Sequence, residues 1–302
     1  MRSIFVGAGG IRAGWRFVIF VLLLYAFFLM EFGILALVSD FFRLYKLARA
    51  GTLTPRFELE FELAQFAAAL FAAAVMSRIE KRKLSSYGIP LQGAFGKNFW
   101  VGILWGLSFM SGELLLMHAL GGFSYGTFAL AGAALVKYAS IWAVGFVLVG
   151  LAEEYMFRGY PQFTLTTGMG FWPAAVVLSA IFGGVHLFNA GEGWVGALSV
   201  FTFGMFECFT LRRTGNLWFA IGFHAAGDYA ESFIYSVRDS GNFAVGHLIN
   251  SSFHGPAWLT GGTVGPEGSV LVFALFAVAF VLFAWIYPSK PVEPPSHPPQ
   301  VG

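Results

Sequence analysis

The amino-acid sequence predicts an all-α, polytopic membrane protein, a bundle of about eight transmembrane helices with an intramembrane polar site. Of its 302 residues, 57% are hydrophobic and only 11% are charged, whereas a soluble domain has roughly a quarter charged residues. The hydrophobic residues also fall into long runs, and a helix needs about 20 largely apolar residues to span the hydrocarbon core of a bilayer. Both observations exclude a soluble protein.

Eight segments are candidate spans by length and composition. They are residues 15–38, 59–77, 99–120, 127–152, 171–188, 194–211, 217–235 and 270–287. The second is the weakest, because Glu58, Glu60 and Glu62 crowd its start. Residues 157–170 are too short and polar to span, and we expect an amphipathic or re-entrant connector there. In the third span, Gly102 and Gly106 fit the small-xxx-small pattern of closely packed membrane helices.

The orientation follows from the basic residues, which are enriched in cytoplasmic loops. With the N-terminus inside, the inner segments hold twelve and the outer segments five, although the outer loop 43–56 is itself basic. The first span is longer than the h-region of a signal peptide, about 7–15 residues, and is expected to be a retained signal anchor. We expect a multi-pass protein of a bacterial inner membrane, with both termini in the cytoplasm and Glu153 and Glu154 toward the cytoplasmic side.

Four parts are expected along the chain. They are N-terminal helices and basic loops (1–130), a core with embedded Glu and His residues (131–236), a long outer loop with the last span (237–287) and a Pro-rich disordered tail (288–302). The net charge of +2 is too small to indicate a nucleic-acid partner. The single cysteine, Cys208, excludes a disulfide framework and a cysteine-based zinc site.

Two adjacent carboxylates, Glu153 and Glu154, follow the apolar run 141–152. An ionisable residue within a membrane is costly, so it indicates a functional site. On a helix Arg158 faces Glu154 one turn away and can neutralise it. Glu153 points about 100° around the helix, which leaves it free to act on another group.

Two further strings place polar groups in apolar spans. Phe182 lies one turn before His186, and His224 shares a helix face with Asp228. The set offers a general base and neutral nitrogen ligands, but no Gly-x-Ser-x-Gly elbow, which favours water as the nucleophile. Glu153 would be the base, and the imidazoles would either bind a metal or orient the water.

The other embedded polar residues are expected to make structural contacts. These are Glu113, His118, Lys137, Glu207 and Glu231. His247 and His254 belong to the long outer loop, on the side away from the site, and are expected to be solvated.

The three strings, in this order, resemble the motif set of the CPBP (CAAX protease and bacteriocin-processing, or Abi) family of intramembrane metalloproteases, which is related to prenyl-protein endopeptidases. The resemblance covers about residues 139–235. It implies that Glu153 activates water with help from His186, and that Glu154 and Arg158 give support. It also implies that His224 and Asp228 complete the site as oxyanion stabilisers or metal ligands.

The cofactor implied by the resemblance is a divalent metal, zinc, held by Glu153, His186, His224 and Asp228. The prenyl-endopeptidase branch tends to have Asn where this chain has Asp228. A carboxylate donates a hydrogen bond only when protonated, so Asp228 favours a metal-binding or His224-orienting role.

The function expected is therefore an intramembrane endopeptidase that acts on a membrane-associated protein or peptide in the lipid bilayer. A catalytically idle scaffold or immunity protein is one alternative. A proton-coupled transporter, in which buried Glu and His form a relay, is another.

Overall fold

The computed structural model describes residues 2–7, 10–189 and 191–288. Apart from Pro288, the predicted Pro-rich tail lies outside the described residues. The described part is mainly α-helical. Its helices are α1 (Arg2–Phe5), α2 (Ala13–Val38), α3 (Phe41–Arg49), α4 (Pro55–Ile79), α5 (Lys97–Ala119), α6 (Gly132–Arg158), α7 (Tyr160–Met169), α8 (Phe171–His186), α9 (Trp194–Thr214), α10 (Trp218–Asp228), α11 (Ala257–Thr260) and α12 (Leu271–Ile286).

Short strands and turns connect the helices. The strands are β1 (Val6–Gly7), β2 (Gly10–Ile11), β3 (Thr52–Leu53), β4 (Phe123–Ser124), β5 (Phe243–Ala244) and β6 (Ser252–Phe253). A π-helical turn, Tyr229–Ile234, continues α10, and 3-10 turns occupy Leu84–Ser86 and Pro266–Gly268.

The helices confirm an all-α polytopic architecture, whereas eight crossings stay a prediction. Within the described residues, five helical stretches are long and apolar enough to cross a bilayer: α2, α4, α5, the stretch Gly132–Met169 and α9. Helices α8 and α12 are apolar, but each has only 16 residues. The seventh predicted span, 217–235, corresponds to α10 with its π turn.

The predicted connector 157–170 is itself helical. Helix α6 continues through Arg158, so both glutamates lie within it. A break at Gly159, with Pro161 in the first turn of the next helix, starts α7.

Close packing of α5 against α10 places the helix that bears His224. A Cβ added at Gly102 would lie 2.2 Å from the carbonyl oxygen of Phe219, and one at Gly106 would lie 2.2 Å from that of Phe223. On α10, a Cβ at Gly222 would lie 2.2 Å from the carbonyl oxygen of Phe99. The two backbones touch only because these positions lack side chains, as the small-xxx-small pattern predicted.

Segment 236–269 covers one end of the bundle. Strand β5 pairs in parallel with β3, and β6 pairs antiparallel with β4. The indole of Trp142 on α6 donates to the carbonyl of Val245 at 3.1 Å. We call this the loop end of the bundle: α4 and α6 begin there and α5 ends there.

The opposite end is joined by a buried cluster around Glu80. Its carboxylate accepts from Arg16 of α2 at 2.7 Å and from the hydroxyl of Tyr160 on α7. Tyr87, between α4 and α5, also donates to it. This end therefore holds α2, α4 and α7 together.

Candidate active site

Glu154 is fully buried in the last turn of α6 and has two partners. Nη1 of Arg158 donates to its Oε1 at 3.1 Å, and Nδ1 of His224 lies 2.9 Å from the same oxygen. The neutralisation by Arg158 is the contact that the sequence predicted. The contact with His224, 70 residues further along the chain, was not predicted. Because an ionised carboxylate only accepts hydrogen bonds, Nδ1 of His224 is the donor.

His224 therefore presents its other ring nitrogen to the site. Nε2 lies 3.7 Å from Oε2 of Glu153 and 3.5 Å from Oδ2 of Asp228. The ring packs edge-on against Phe203 of α9, with centroids 4.8 Å apart. The Asp228 contact supports the predicted role of that residue in orienting His224.

His186, at the end of α8, is oriented in the same way. Its Nδ1 lies 2.8 Å from the carbonyl oxygen of Phe182, one turn earlier, and a carbonyl oxygen can only accept. The ring also packs edge-to-face with that of Phe182, and the two ring centroids are 4.6 Å apart. The guanidinium of Arg158 in turn lies over Phe182, with its central carbon 4.3 Å from the centroid of the phenyl ring. The Phe182–His186 string thus joins the second histidine to the Glu154–Arg158 pair.

The predicted catalytic residues share one cavity of about 480 Å³. Glu153, His186, His224 and Asp228 line it, whereas Glu154 and Arg158 lie behind its wall. The division into reacting and supporting residues stays a prediction. The cavity reaches the loop end, because α3 and segment 236–269 supply part of its lining.

The expectation that the long loop lies away from the site is therefore wrong. Asp239 and Glu267, from segment 236–269, line the same cavity as Glu153. His247 and His254 are not among the described lining residues. Burial and the neighbouring carboxylate of Glu267 raise the pKa of Asp239 to about 7.

Several acidic residues of the site were missed from the sequence. The described lining residues include eight carboxylates: Glu58, Glu62, Glu113, Glu153, Asp228, Glu231, Asp239 and Glu267. Glu58 and Glu62 are both buried on α4, and their spacing of four places them on one helix face. That spacing was the available signal, although it was interpreted as weakening a span.

Behind the site lies a further buried carboxylate. Glu207 of α9 is fully buried and interacts electrostatically with Glu154, Arg158 and His224. Its Oε2 accepts from the hydroxyl of Thr210 at 3.1 Å. Gly204, one turn before it, leaves room for Arg158, because a Cβ there would lie 2.5 Å from Nη2. Glu207 thus has a structural contact, as predicted, and adds a second carboxyl group near Arg158.

The four residues implied as zinc ligands have suitable donor atoms but are not close enough together. Two Nε2 atoms and nearby carboxylates are suitable zinc donors in chemical type. Among the described residues, however, Glu153, His186, His224 and Asp228 do not place three ligand atoms within 4.8 Å of one another; the group that does is Glu231, Asp239 and Glu267. The four residues as placed therefore do not form a ready zinc site, and the reaction proposed for this site uses protein side chains alone.

Comparison with known proteins identifies the segment that bears this site. Residues 135–230, about a third of the chain, match the family model described as type II CAAX prenyl endopeptidase Rce1-like. No curated protein matches the chain. The matched segment contains Glu153, His186, His224 and Asp228. The match bears out the resemblance seen in the three strings and supports assignment of this chain to the CPBP family of CAAX proteases.

Proposed function

We propose that this protein is an intramembrane endopeptidase in which Glu153 activates the water that hydrolyses a peptide bond. One observation carries the proposal. Glu153 shares a cavity within the helix bundle with two imidazoles whose Nδ1 atoms are engaged, and Nε2 of His224 lies 3.7 Å from Glu153. A general base beside oriented imidazoles suits acyl transfer to water.

The proposed reaction uses water because the cavity offers no activated nucleophile of the usual kind. The thiol of Cys208 is buried and is not among the described lining residues. The described lining also holds the hydroxyl groups of Tyr45, Ser199 and Ser240, and among the described residues none of them is hydrogen-bonded to an imidazole; that of Ser240 donates to Glu267. Glu153 would take a proton from water as the water oxygen attacks the carbonyl carbon of the peptide bond. It would then return that proton to the leaving amine as the C–N bond breaks.

The imidazoles would position the reacting atoms. Nε2 of His186 would hold the water against Glu153, and Nε2 of His224, when protonated, would donate to the oxyanion that forms. Glu154 would hold the ring of His224 through Nδ1. Asp228 lies 3.5 Å from Nε2 and, as a carboxylate, would orient the ring rather than donate to the oxyanion.

The proposed substrate is a membrane-associated protein or peptide with an apolar portion. Eight phenylalanines are among the described lining residues of the cavity beside its acidic groups, namely Phe57, Phe61, Phe109, Phe146, Phe182, Phe203, Phe223 and Phe276. Ligand sites commonly combine such apolar walls with a few placed polar groups. Paired peptides with and without a prenyl group would determine whether that apolar portion is a prenyl chain.

The proposal is tested by cleavage of a membrane-peptide library with the purified protein in liposomes. Glu153→Gln keeps the shape of the side chain but cannot accept the proton, so we expect turnover to fall by about 10²–10⁴-fold. Glu60→Gln is the matched control. Its carboxylate is bound by Arg56 and Ser39 and is not among the described lining residues, so turnover should be unchanged.

Each alternative predicts a different result. Unchanged turnover in Glu153→Gln would overturn the assigned base, and an inactive wild-type protein would favour an idle scaffold. Proton-dependent uptake into vesicles would favour a transporter. A zinc requirement remains our prediction from the family. It is checked by measuring metal content and turnover before and after chelation.

A further inference from the structure

A second group of carboxylates lies at the loop end of the cavity. Glu231 belongs to the π turn after α10, Asp239 to the following loop and Glu267 to the 3-10 turn Pro266–Gly268. One oxygen of each lies within 4.8 Å of those of the other two. Three segments of the chain thus bring negative charge to one point, and we call these three residues the loop-end triad.

Hydrogen bonds orient two members of the loop-end triad. The hydroxyl of Ser232 donates to Oδ2 of Asp239 at 3.0 Å. Both the backbone N–H and the hydroxyl of Ser240 donate to Oε2 of Glu267, at 3.1 and 2.9 Å. These carboxylates are therefore held in place by groups that engage one oxygen of each.

An independent observation comes from α5. Glu113 is fully buried and lines the same cavity, and neither of its oxygens has a hydrogen-bond partner among the described residues. It interacts electrostatically with Glu231 and Glu267. Oε1 of Glu231, whose side chain is only 1% exposed, is likewise without a partner in the described part of the chain. Buried carboxylates without partners are costly unless a cation or a proton compensates them.

Arginine and lysine side chains do not supply that compensation within the described cavity lining. Arg49 is the one arginine or lysine there, and its Nη1 donates to the carbonyl of Phe188. Arg238, next to Asp239 in sequence, donates to the carbonyl of Gly241. The electrostatics of this end of the cavity therefore favour a cation from solution.

We propose that the loop-end triad, with Glu113 beside it, binds a divalent cation of the calcium class. The ligands are all carboxylate oxygens, which hard cations prefer and zinc does not require. Calcium takes about six to eight oxygen ligands in a flexible geometry, whereas magnesium needs near-ideal octahedral geometry and usually keeps several waters. Three carboxylate oxygens from three separate segments, all within 4.8 Å of one another, suit the flexible coordination of calcium.

Binding would fix the segments around the catalytic helix. Glu231 follows Asp228 by three residues, and the ion would join this turn to both ends of segment 236–269. The site is distinct from Glu153 and the two histidines, and binding is measured without turnover. Failure of the proposed protease activity would therefore leave this inference intact.

The direct test is equilibrium dialysis with radioactive calcium on the detergent-purified full chain after treatment with a chelator. We expect about one ion per chain, and a melting temperature that rises with calcium because the ion binds the folded state alone. Asp239→Asn combined with Glu267→Gln should weaken binding by at least tenfold. Glu60→Gln and Glu153→Gln should bind as the wild type does.

Four results would overturn the inference. These are no bound ion in the wild type, wild-type affinity in the double variant, equal affinity for magnesium, and loss of binding in Glu153→Gln. If the double variant does not fold, the wild-type stoichiometry and the single variant Glu113→Gln decide the question. That variant should bind calcium more weakly, and undiminished affinity would count against the proposal.

Discussion

At the scale of single residues, Glu154 shows what a motif can and cannot predict. The spacing of four to Arg158 fixes a contact on any α-helix, and the predicted ion pair is present at 3.1 Å. The contact of Glu154 with His224 depends on how α10 is rotated against α6, which no local spacing determines. The proximity of Glu207 to Arg158 is likewise not predictable from local spacing. It arises only when α9 packs on α8.

We predict that Arg158→Ala strongly destabilises the protein. The guanidinium is fully buried, pairs with Glu154, interacts electrostatically with Glu207 and covers Phe182. Its removal leaves the buried carboxylate of Glu154 without its arginine partner, which costs about 3–5 kcal/mol. Thermal unfolding in detergent should show a large fall in melting temperature, together with loss of turnover.

Arg56→Ala is the matched control for this prediction. It removes the arginine of another i,i+4 pair, with Glu60, but the Arg56 side chain is 56% exposed. Exposed pairs contribute little, so its melting temperature should stay near that of the wild type. Similar effects in the two variants would show that burial of the Arg158 pair does not contribute to stability.

At the scale of elements, hydropathy predicted where the helices lie but not how the segments between them pack. Every predicted span is helical over most of its length, because long apolar runs must satisfy their backbone groups internally. The connector 157–170, expected to be amphipathic or re-entrant, begins within the last turn of α6, which continues through Arg158, and α7 follows at once. Segment 236–269 was assigned to one side by charge, which gives no information on how deeply a loop enters the bundle.

The glycine contacts between α5 and α10 give a prediction at this scale. In Gly106→Ala the new methyl would lie 2.2 Å from the backbone oxygen of Phe223, so the helices must separate. Because His224 is the next residue, we expect both a lower melting temperature and lower turnover. Gly112→Ala, on the same helix, is the control: nothing lies within 4 Å of its added Cβ.

Alanine also has the higher helix propensity, which should leave the Gly112 variant as stable as the wild type or slightly more stable. A Gly106→Ala protein with unchanged stability and turnover would mean that the two backbones are not in contact. A loss in both variants would instead indicate that any substitution in α5 is harmful.

At the scale of the whole molecule, the described chain connects an acidic cavity to one end of a helix bundle. The loop-end triad, α3 and the start of α4 surround the cavity there, whereas Glu80 and Tyr160 join the helices at the other end. The sequence could predict the bundle and its buried site from composition and motifs. It could not predict which end the cavity reaches, since that depends on the packing of α4, α5 and α10 together.

The orientation of this cavity is the last prediction. The excess of basic residues predicts that both termini lie in the cytoplasm and segment 236–269 outside. The cavity would then reach the outer face, and a substrate would enter from there. We predict that Ser252→Cys, exposed in β6, reacts with a membrane-impermeant maleimide on spheroplasts of a bacterial expression host. Ser85→Cys, exposed between α4 and α5, should react only after lysis.

The wild-type protein is the background control, because Cys208 is fully buried and should remain unlabelled in both preparations. The two variants lie at opposite ends of the bundle, so a reversed labelling pattern would invert the topology and place the mouth of the cavity in the cytoplasm. The basic loop that contains Arg43, Lys46 and Arg49 would then be cytoplasmic, where basic loops are expected, and not on the outer side as in the present prediction. The same pair of variants therefore determines both the orientation of the chain and the side from which the substrate reaches Glu153.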